Sequence, residues 1–319
     1  MNRYPSEVLA AGDKHTDPRL QRTIAGPRLG VLLLSLFTVV FNSTECRVFA
    51  EDIDIKPTRS VTYKSVDGID LKLDIFEPKD MQPTDRRPVI VFFFGGGWSG
   101  GETKQFYQQA NAMTEQGMLA ISADYRVKSR NKTTPFECVK DGKSAIRWVR
   151  EHAAELGVDS DRIVASGGSA GGHVAACTAI IEGVDEAGEK SSISSVPNAM
   201  ILFNPVLDTT DKGYGSKNFK SDQQTDISPC HRVRKGIVPT IIFHGTADMT
   251  VPFENAERFT RLMKSAGNDC VLVSFEGKGH GFFNGSIFRK ANGDADFDVT
   301  MKRSVEFLIS HGLLPWERK

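Results

Sequence analysis

From about residue 60 to residue 315 two apolar rhythms alternate along the chain. Pro88–Phe94 is a continuous apolar run, and stretches rich in apolar residues read as further strands at Met118–Val127, from Ile163 to the glycines at 167–168, and at Ala199–Leu207, Thr240–Asp248 and Val271–Phe275. The first is the mark of a strand buried on both faces. Between them, apolar residues recur at helical spacing over Gln105–Gly117, Thr134–Gly157, the stretch opening at Pro252, and Asp296–His311. In the second of these, Thr134-Pro-Phe-Glu137 reads as a capping box with proline at the first helical position, and Phe136, Val139, Ile146, Val149 and Leu156 share a face. Ahead of all this, Val61–Val66 and Ile69–Phe76 alternate apolar and polar residues around Asp67-Gly68, the pattern of an antiparallel hairpin at one edge of a sheet. Strand and helix then alternate without repeat or linker, which predicts one α/β domain with a mostly parallel sheet and helices on both faces.

The first fifty residues break the pattern. Met1–Arg28 is polar with scattered Arg and Lys, and Gly30–Phe41 is an apolar run too short to span a bilayer but suited to the core of a signal peptide. Val48-Phe49-Ala50 fits a cleavage site, so residues 1–50 are expected to be a signal peptide and processed segment and 51–319 the folded domain of an exported protein. An uncleaved membrane anchor is the alternative. The 40 basic and 40 acidic residues cancel, leaving no electrostatic footprint for nucleic acid or an anionic membrane. Neither a nucleic-acid partner nor stable membrane association after cleavage is expected. Cys138, Cys177, Cys230 and Cys270 could form up to two disulfides in an exported protein, with three pairings open, but no essential disulfide is expected; their spacing matches no metal site, and neither a metal nor a cofactor is expected.

Ligands of open α/β sheets bind beyond the carboxyl ends of the strands, so residues just after each strand are the candidates for chemistry. After the strand at 163 comes Gly167-Gly-Ser169-Ala-Gly171, a G-x-S-x-G that opens an apolar helix. In that context it reads as a nucleophile elbow rather than a glycine-rich turn with an incidental serine. The serine needs a base. Of seven histidines, His280 stands between glycines after the last strand, free to reach Ser169. His173 points into the elbow helix, His244 reads as a structural hydrogen-bonder, His231 sits in a polar loop, and His15, His152 and His311 lie in the leader or polar helix stretches. Asp248 follows a strand between Ser169 and His280 in the chain and is the orienting acid, with Asp208 as competitor. Carboxylates at 294, 296 and 298 read as a helix N-terminus. Gly95-Gly-Gly-Trp98 offers backbone amides for an oxyanion hole; no Gly-Lys-Ser/Thr follows to make a phosphate loop, and a turn without function stays open. Residues 209–236 are polar and glycine-containing, a candidate mobile loop or small lid.

Taken together, G-G-S-A-G-G-H at 167–173, G-G-G-W at 95–98, H-G-T-A-D with V-P at 244–252 and G-H-G-F at 279–282 resemble the α/β-hydrolase superfamily. Within it the chain is similar to the acetyl esterase and carboxylesterase branch, including acetylxylan and feruloyl esterases related to hormone-sensitive lipase. The resemblance implies the α/β-hydrolase fold, a Ser169–Asp248–His280 triad, an oxyanion hole from the amides of Gly96, Gly97 and Ala170, and Trp98 in the substrate pocket. It implies hydrolysis of small-molecule or polysaccharide-linked esters through an acyl-enzyme. Phe94 stands where the family usually has a histidine before its glycines, which removes a side chain able to brace the loop. Few residues precede the first strand after cleavage, so an open pocket without a helical cap is expected. A serine peptidase of the prolyl oligopeptidase type and a non-catalytic binding protein on the same fold are the other readings.

Overall fold

The protein is described here by a computed structural model covering residues 54–315; the expected signal segment and its cleavage site lie outside the described residues. The hairpin forms as read, β1 (Arg59–Val66) pairing antiparallel with β2 (Ile69–Phe76). Its two turn residues both take positive φ, 52° at Asp67 and 75° at Gly68, the backbone of a type I′ turn whose twist matches the strands. Six more strands follow: β3 (Arg87–Phe93), β4 (Leu119–Ala123), β5 (Val158–Gly168), β6 (Ala199–Phe203), β7 (Thr240–Gly245) and β8 (Cys270–Phe275). They build one sheet in the order β1-β2-β4-β3-β5-β6-β7-β8, parallel from β4 to β8, with β1 at the edge.

The helices are α1 (Tyr107–Thr114), α2 (Lys128–Asn131), α3 (Pro135–Glu151), α4 (Ala170–Ile180), α5 (Phe253–Ser265) and α6 (Ala295–Ser310). The Thr134–Glu137 capping box is formed, with Thr134 Oγ1 accepting from the Phe136 N–H and Glu137 Oε2 accepting from the Thr134 N–H. Three elements stop short of their apolar patterns. β4 ends at Ala123, although Tyr125 and Val127 are buried, because the chain leaves the ladder there and turns into α2. β6 ends at Phe203, where Asn204 takes φ 32° and Pro205 has no N–H to continue a ladder. α3 ends at Glu151, and Leu156 is buried from the turn beyond it. Burial outside regular structure looks the same in sequence as burial inside it.

Beneath the carboxyl edge of the sheet runs a column of phenylalanines. Phe92 stacks on Phe106 (ring centroids 5.1 Å), Phe106 on Phe283 (5.8 Å), Phe283 on Phe203 (4.8 Å) and Phe203 on Phe243 (5.4 Å). All five are buried, and such pairs add about 0.5–1.5 kcal/mol each beyond their burial. The column ties β3, β6 and β7 to the loop following β8, which is the loop that carries His280. Among the described residues, no helix is long and apolar enough to cross a membrane, and no group of three or more His, Cys, Asp or Glu could hold a metal ion. Cys138, Cys177, Cys230 and Cys270 are free and buried.

Candidate active site

Ser169 sits between the end of β5 and the start of α4 with φ 56° and ψ −121°, a backbone conformation that L-residues avoid. The surroundings hold it there: its N–H donates to the Phe203 carbonyl (3.0 Å), and its carbonyl accepts from the N–H groups of His173 (3.0 Å) and Val206 (3.1 Å). The two flanking glycines are required by space. A Cβ on Gly171 would collide with the carbonyl oxygens of Phe93 and Phe94, and one on Gly167 with the Gly171 carbonyl.

Asp248 and His280 lie past the ends of β7 and β8. His280 Nδ1 is 2.8 Å from Asp248 Oδ2, so the imidazole holds its proton on the nitrogen facing the carboxylate and leaves Nε2 as the basic atom. The Asp248 carboxylate also accepts the N–H groups of Thr250 (2.8 Å) and Val251 (3.0 Å). Burial by itself pushes this carboxyl upward. The hydrogen bonds from His244 and His280 and the two backbone donors outweigh that and hold it well below the usual carboxylate range.

Ser169 and His280 line the same cavity of about 410 Å³, together with Gly95, Gly96 and Gly97. The Ser169 hydroxyl makes no hydrogen bond to His280 among the described residues. The imidazole instead has the Asn204 amide against it, with Nδ2 3.2 Å from Nδ1 and 3.3 Å from Nε2. Such contacts are commonly loose before substrate arrives. On the opposite side, no hydrogen bond within the described residues takes up the N–H of Gly96 or Gly97, and Ala170 is the first residue of α4, where N–H groups lack intrahelical partners. Gly96 reaches this geometry with φ 128°, open to glycine and to little else.

Trp98 requires a correction. Expected in the substrate pocket, it is 2% exposed and absent from the cavity wall. Its φ of 58° turns the indole inward, where Nε1 donates to His173 Nδ1 (3.2 Å) and the ring packs against Tyr214 and Phe219. Burial lowers the His173 imidazole to about 4, only partly offset by its hydrogen bond with the Ile227 carbonyl, so His173 stays neutral and can accept that bond. Tyr214, from the 209–236 segment, forms the wall that Trp98 was expected to form. That segment is irregular, with short 3-10 turns, and is anchored by its own buried residues Ile227, Ser228 and Cys230.

The other candidates are engaged elsewhere. Asp208 pairs with Arg258 and caps Thr210. Asp294 is the N-cap of α6, and Asp296 and Asp298 lie in its first turn. His231 bonds Ser228 Oγ (2.8 Å). His244 is buried as a hydrogen-bonder, with one addition that sequence reasoning missed: its Nε2 lies 3.0 Å from the Val251 carbonyl and 3.2 Å from Asp248 Oδ2. Asn204, Gln105 and Asn284 also line the cavity and were not anticipated. Single amides carry no motif. Asn204 fell inside the run Ala199–Leu207, and only the observed end of β6 at Phe203 puts it just past a strand.

A serine on a strained strand-to-helix turn, sharing a cavity with a histidine backed by a buried aspartate and with unclaimed backbone amides at the carboxyl edge of a mostly parallel sheet, is the arrangement of a serine-hydrolase site on an α/β fold. Residues 73–212 match the BD-FAE family and residues 199–310 the dienelactone hydrolase family. Among solved structures, Thermogutta terrifontis esterase 2 phosphoramylated by tabun is 50% identical with a TM-score of 0.76, covering 81% of this chain and 96% of that one. The propionate-bound form of that esterase is 47% identical with a TM-score of 0.77, covering 83% and 98%. The probable isoprenylcysteine alpha-carbonyl methylesterase ICMEL1 of Arabidopsis thaliana is 30% identical over 232 residues, 66% of this chain. The chain spans about half the length of that relative, 48%. Carboxylesterase NlhH of Mycobacterium tuberculosis is 27% identical over 314 residues, 88% of this chain and 95% of its own length. The chain belongs to the α/β-hydrolase carboxylesterases, in the branch related to hormone-sensitive lipase.

Proposed function

We propose that the protein is a serine carboxylesterase that hydrolyses small esters of short-chain acids through an acyl-enzyme. The observation that carries this reading is Ser169 sharing one cavity of about 410 Å³ with the His280–Asp248 pair and the glycine amides. Ser169 Oγ attacks the ester carbonyl and passes its proton to His280 Nε2. The carbonyl oxygen, now negative, takes hydrogen bonds from Gly96, Gly97 and Ala170, and collapse expels the alcohol with the proton from His280. Water, activated by the same imidazole, then releases the acid. Two features of the relative esterase support the substrate class: it was captured with propionate and with butyrate bound, and as adducts of organophosphorus agents. Acetyl and feruloyl esters of plant polysaccharide fall within the reading as larger alcohols or acids at the open cavity mouth.

The test is a p-nitrophenyl ester series from acetate to palmitate, run beside acetylated xylan and methyl ferulate, with Ser169→Ala as control. Turnover should be greatest on acetate to butyrate and absent in Ser169→Ala. Activity retained by Ser169→Ala would overturn the mechanism. Cleavage of prolyl peptides without ester hydrolysis would move the assignment to a peptidase, and no reaction with a fluorophosphonate would move it to a binding protein.

We also propose that the enzyme acts after export, a reading supported by the apolar run Gly30–Phe41 and the Val48-Phe49-Ala50 site. N-terminal sequencing of the exported protein should begin at Glu51. A chain recovered with residues 1–50 intact in the cytoplasm would overturn it.

A further inference from the structure

Phe94 opens the oxyanion loop, and its side chain carries no hydrogen-bonding group to hold the glycines that follow. That side chain stacks on Tyr125 with ring centroids 4.2 Å apart. The N–H of the next residue, Gly95, is taken by the side chain of Gln105, with Oε1 at 2.6 Å. Gln105 Nε2 then donates to Asn284 Oδ1 (3.1 Å), and Asn284 Nδ2 donates to the Gly281 carbonyl (2.9 Å). This relay can be assembled in only one sense. A backbone N–H at one end can only donate and a backbone carbonyl at the other can only accept, so each amide between them has one allowed orientation.

The two ends are the parts of the site that must keep their spacing. Gly95 immediately precedes the oxyanion donors Gly96 and Gly97, and a Cβ on it would stand 3.3 Å from Ser169 Cβ. Gly281 immediately follows the base, His280. The far end is itself secured: Asn292 Nδ2 donates to the carbonyls of Gly281 (2.9 Å) and Asn284 (2.9 Å). Two further glutamines one turn along also reach the histidine loop, Gln109 to the Phe283 carbonyl (3.3 Å) and Gln108 to the Ile287 N–H (3.2 Å).

We propose that Gln105 is the positioning residue of the oxyanion loop, and that through Asn284 it sets the distance between the oxyanion donors and His280. This rests on the acyl-enzyme reading above. Gln105 acts by fixing the Phe94–Gly95 peptide plane and so the direction of the amides that follow. Its loss should therefore be felt in the transition state and little in substrate binding.

The experiment uses the full chain and p-nitrophenyl acetate, with Ser169→Ala alongside. Gln105→Leu should lower kcat about 10- to 100-fold, somewhat less than deletion of a whole oxyanion donor, with KM changed less than about threefold. The Gln105→Leu, Asn284→Ala double variant should lose little more than the worse single one, since both break one relay. Gln105→Glu gives a readout that a merely structural role would not move. Protonated, the carboxyl accepts from Gly95 and donates to Asn284 as the amide does. Ionised, it has no proton for Asn284 and sets a negative charge beside the developing oxyanion. The ratio of its kcat to wild type should thus fall as pH rises through the glutamate's titration. Glu102, Tyr214, His280 and Arg289 face the same cavity in both proteins, and their own titrations divide out to first order. Should Gln105→Leu not fold, Gln105→Glu carries the test alone. A Gln105→Leu kcat within twofold of wild type, a pH-independent ratio for Gln105→Glu, or losses that multiply independently with Asn284→Ala would overturn the proposal. An active Ser169→Ala would instead bring down the acyl-enzyme reading, and this one with it.

Discussion

Asp141 and Asp248 are both sealed from solvent, yet they are surrounded by groups of different kinds. Asp141, on α3, meets Lys64 Nζ at 2.6 Å and Arg126 Nη2 at 2.8 Å, two cations that also reach Glu186. Asp248 meets two imidazoles and two backbone N–H groups, and no lysine or arginine among the described residues pairs with it. Fixed cations cancel a buried charge and lock it into the fold. Neutral donors stabilise the carboxylate without cancelling it, so its field remains available when His280 becomes an imidazolium. One carboxylate ties the β1–β2 hairpin to α3. The other is kept ready for a charge that exists only during the reaction.

The largest effect expected from breaking this contrast is at Asp248. Asp248→Asn offers His280 the wrong partner, so kcat on p-nitrophenyl acetate should drop by about 10⁴, while the thermal midpoint changes by a few degrees only. A drop of less than tenfold would show that Asp248 does not orient the base. Asp141→Asn should do the reverse. With Lys64 and Arg126 left short of a counter-charge, denaturant unfolding should show a loss of about 3–5 kcal/mol, and the folded fraction should keep kcat within about threefold. A stability change below 1 kcal/mol would mean that Glu186 alone satisfies both cations.

The smallest effect is a pH dependence at Glu186. Burial raises its carboxyl, and Lys64 and Arg126 more than reverse this, lowering it to about 2 from an ordinary 4.5. Its folded-state value is thus depressed, so its contribution is complete above about 4.5 and is lost as the pH falls toward 2. Glu186→Gln should therefore lower the thermal midpoint at pH 6 and flatten its decline between pH 4.5 and 2.5. An unchanged slope in that window would remove Glu186 from the acid sensitivity of the fold.

Much of the architecture was legible because its causes are local. Alternation around Asp67-Gly68 specifies a hairpin through turn geometry alone, and Thr134-Pro-Phe-Glu specifies a helix start through hydrogen bonds within four residues. The strands showed as apolar runs, but their ends did not. Tyr125 and Leu156 are buried by tertiary packing outside regular structure, and composition reports burial rather than hydrogen-bond pattern. The site divides in the same way. Ser169 was readable because its motif spans five residues, although the atoms that exclude a side chain at 171 belong to Phe93 and Phe94, on the neighbouring strand and just past it. The side chain of Trp98 was misplaced because an aromatic after a glycine run can turn to either side, and here a buried neutral histidine 75 positions away holds its N–H.

Residue patterns alone specify the order of strands and helices, the nucleophile on its turn, and the chemical types that follow each strand. Those show as periodicities and motifs spanning a few neighbouring residues, even where, as at Gly171, the colliding atoms lie on another strand. Long-range packing settles which amides hold the glycine loop, makes His244 a second partner of Asp248, and brings Gln105 and Asn284, 179 positions apart, into one hydrogen bond. A lone glutamine or asparagine has no local preference strong enough to announce a partner. Its role exists once the sheet has brought two distant loops to the same edge, where an unpaired backbone N–H in one and a carbonyl in the other need a bridge between them.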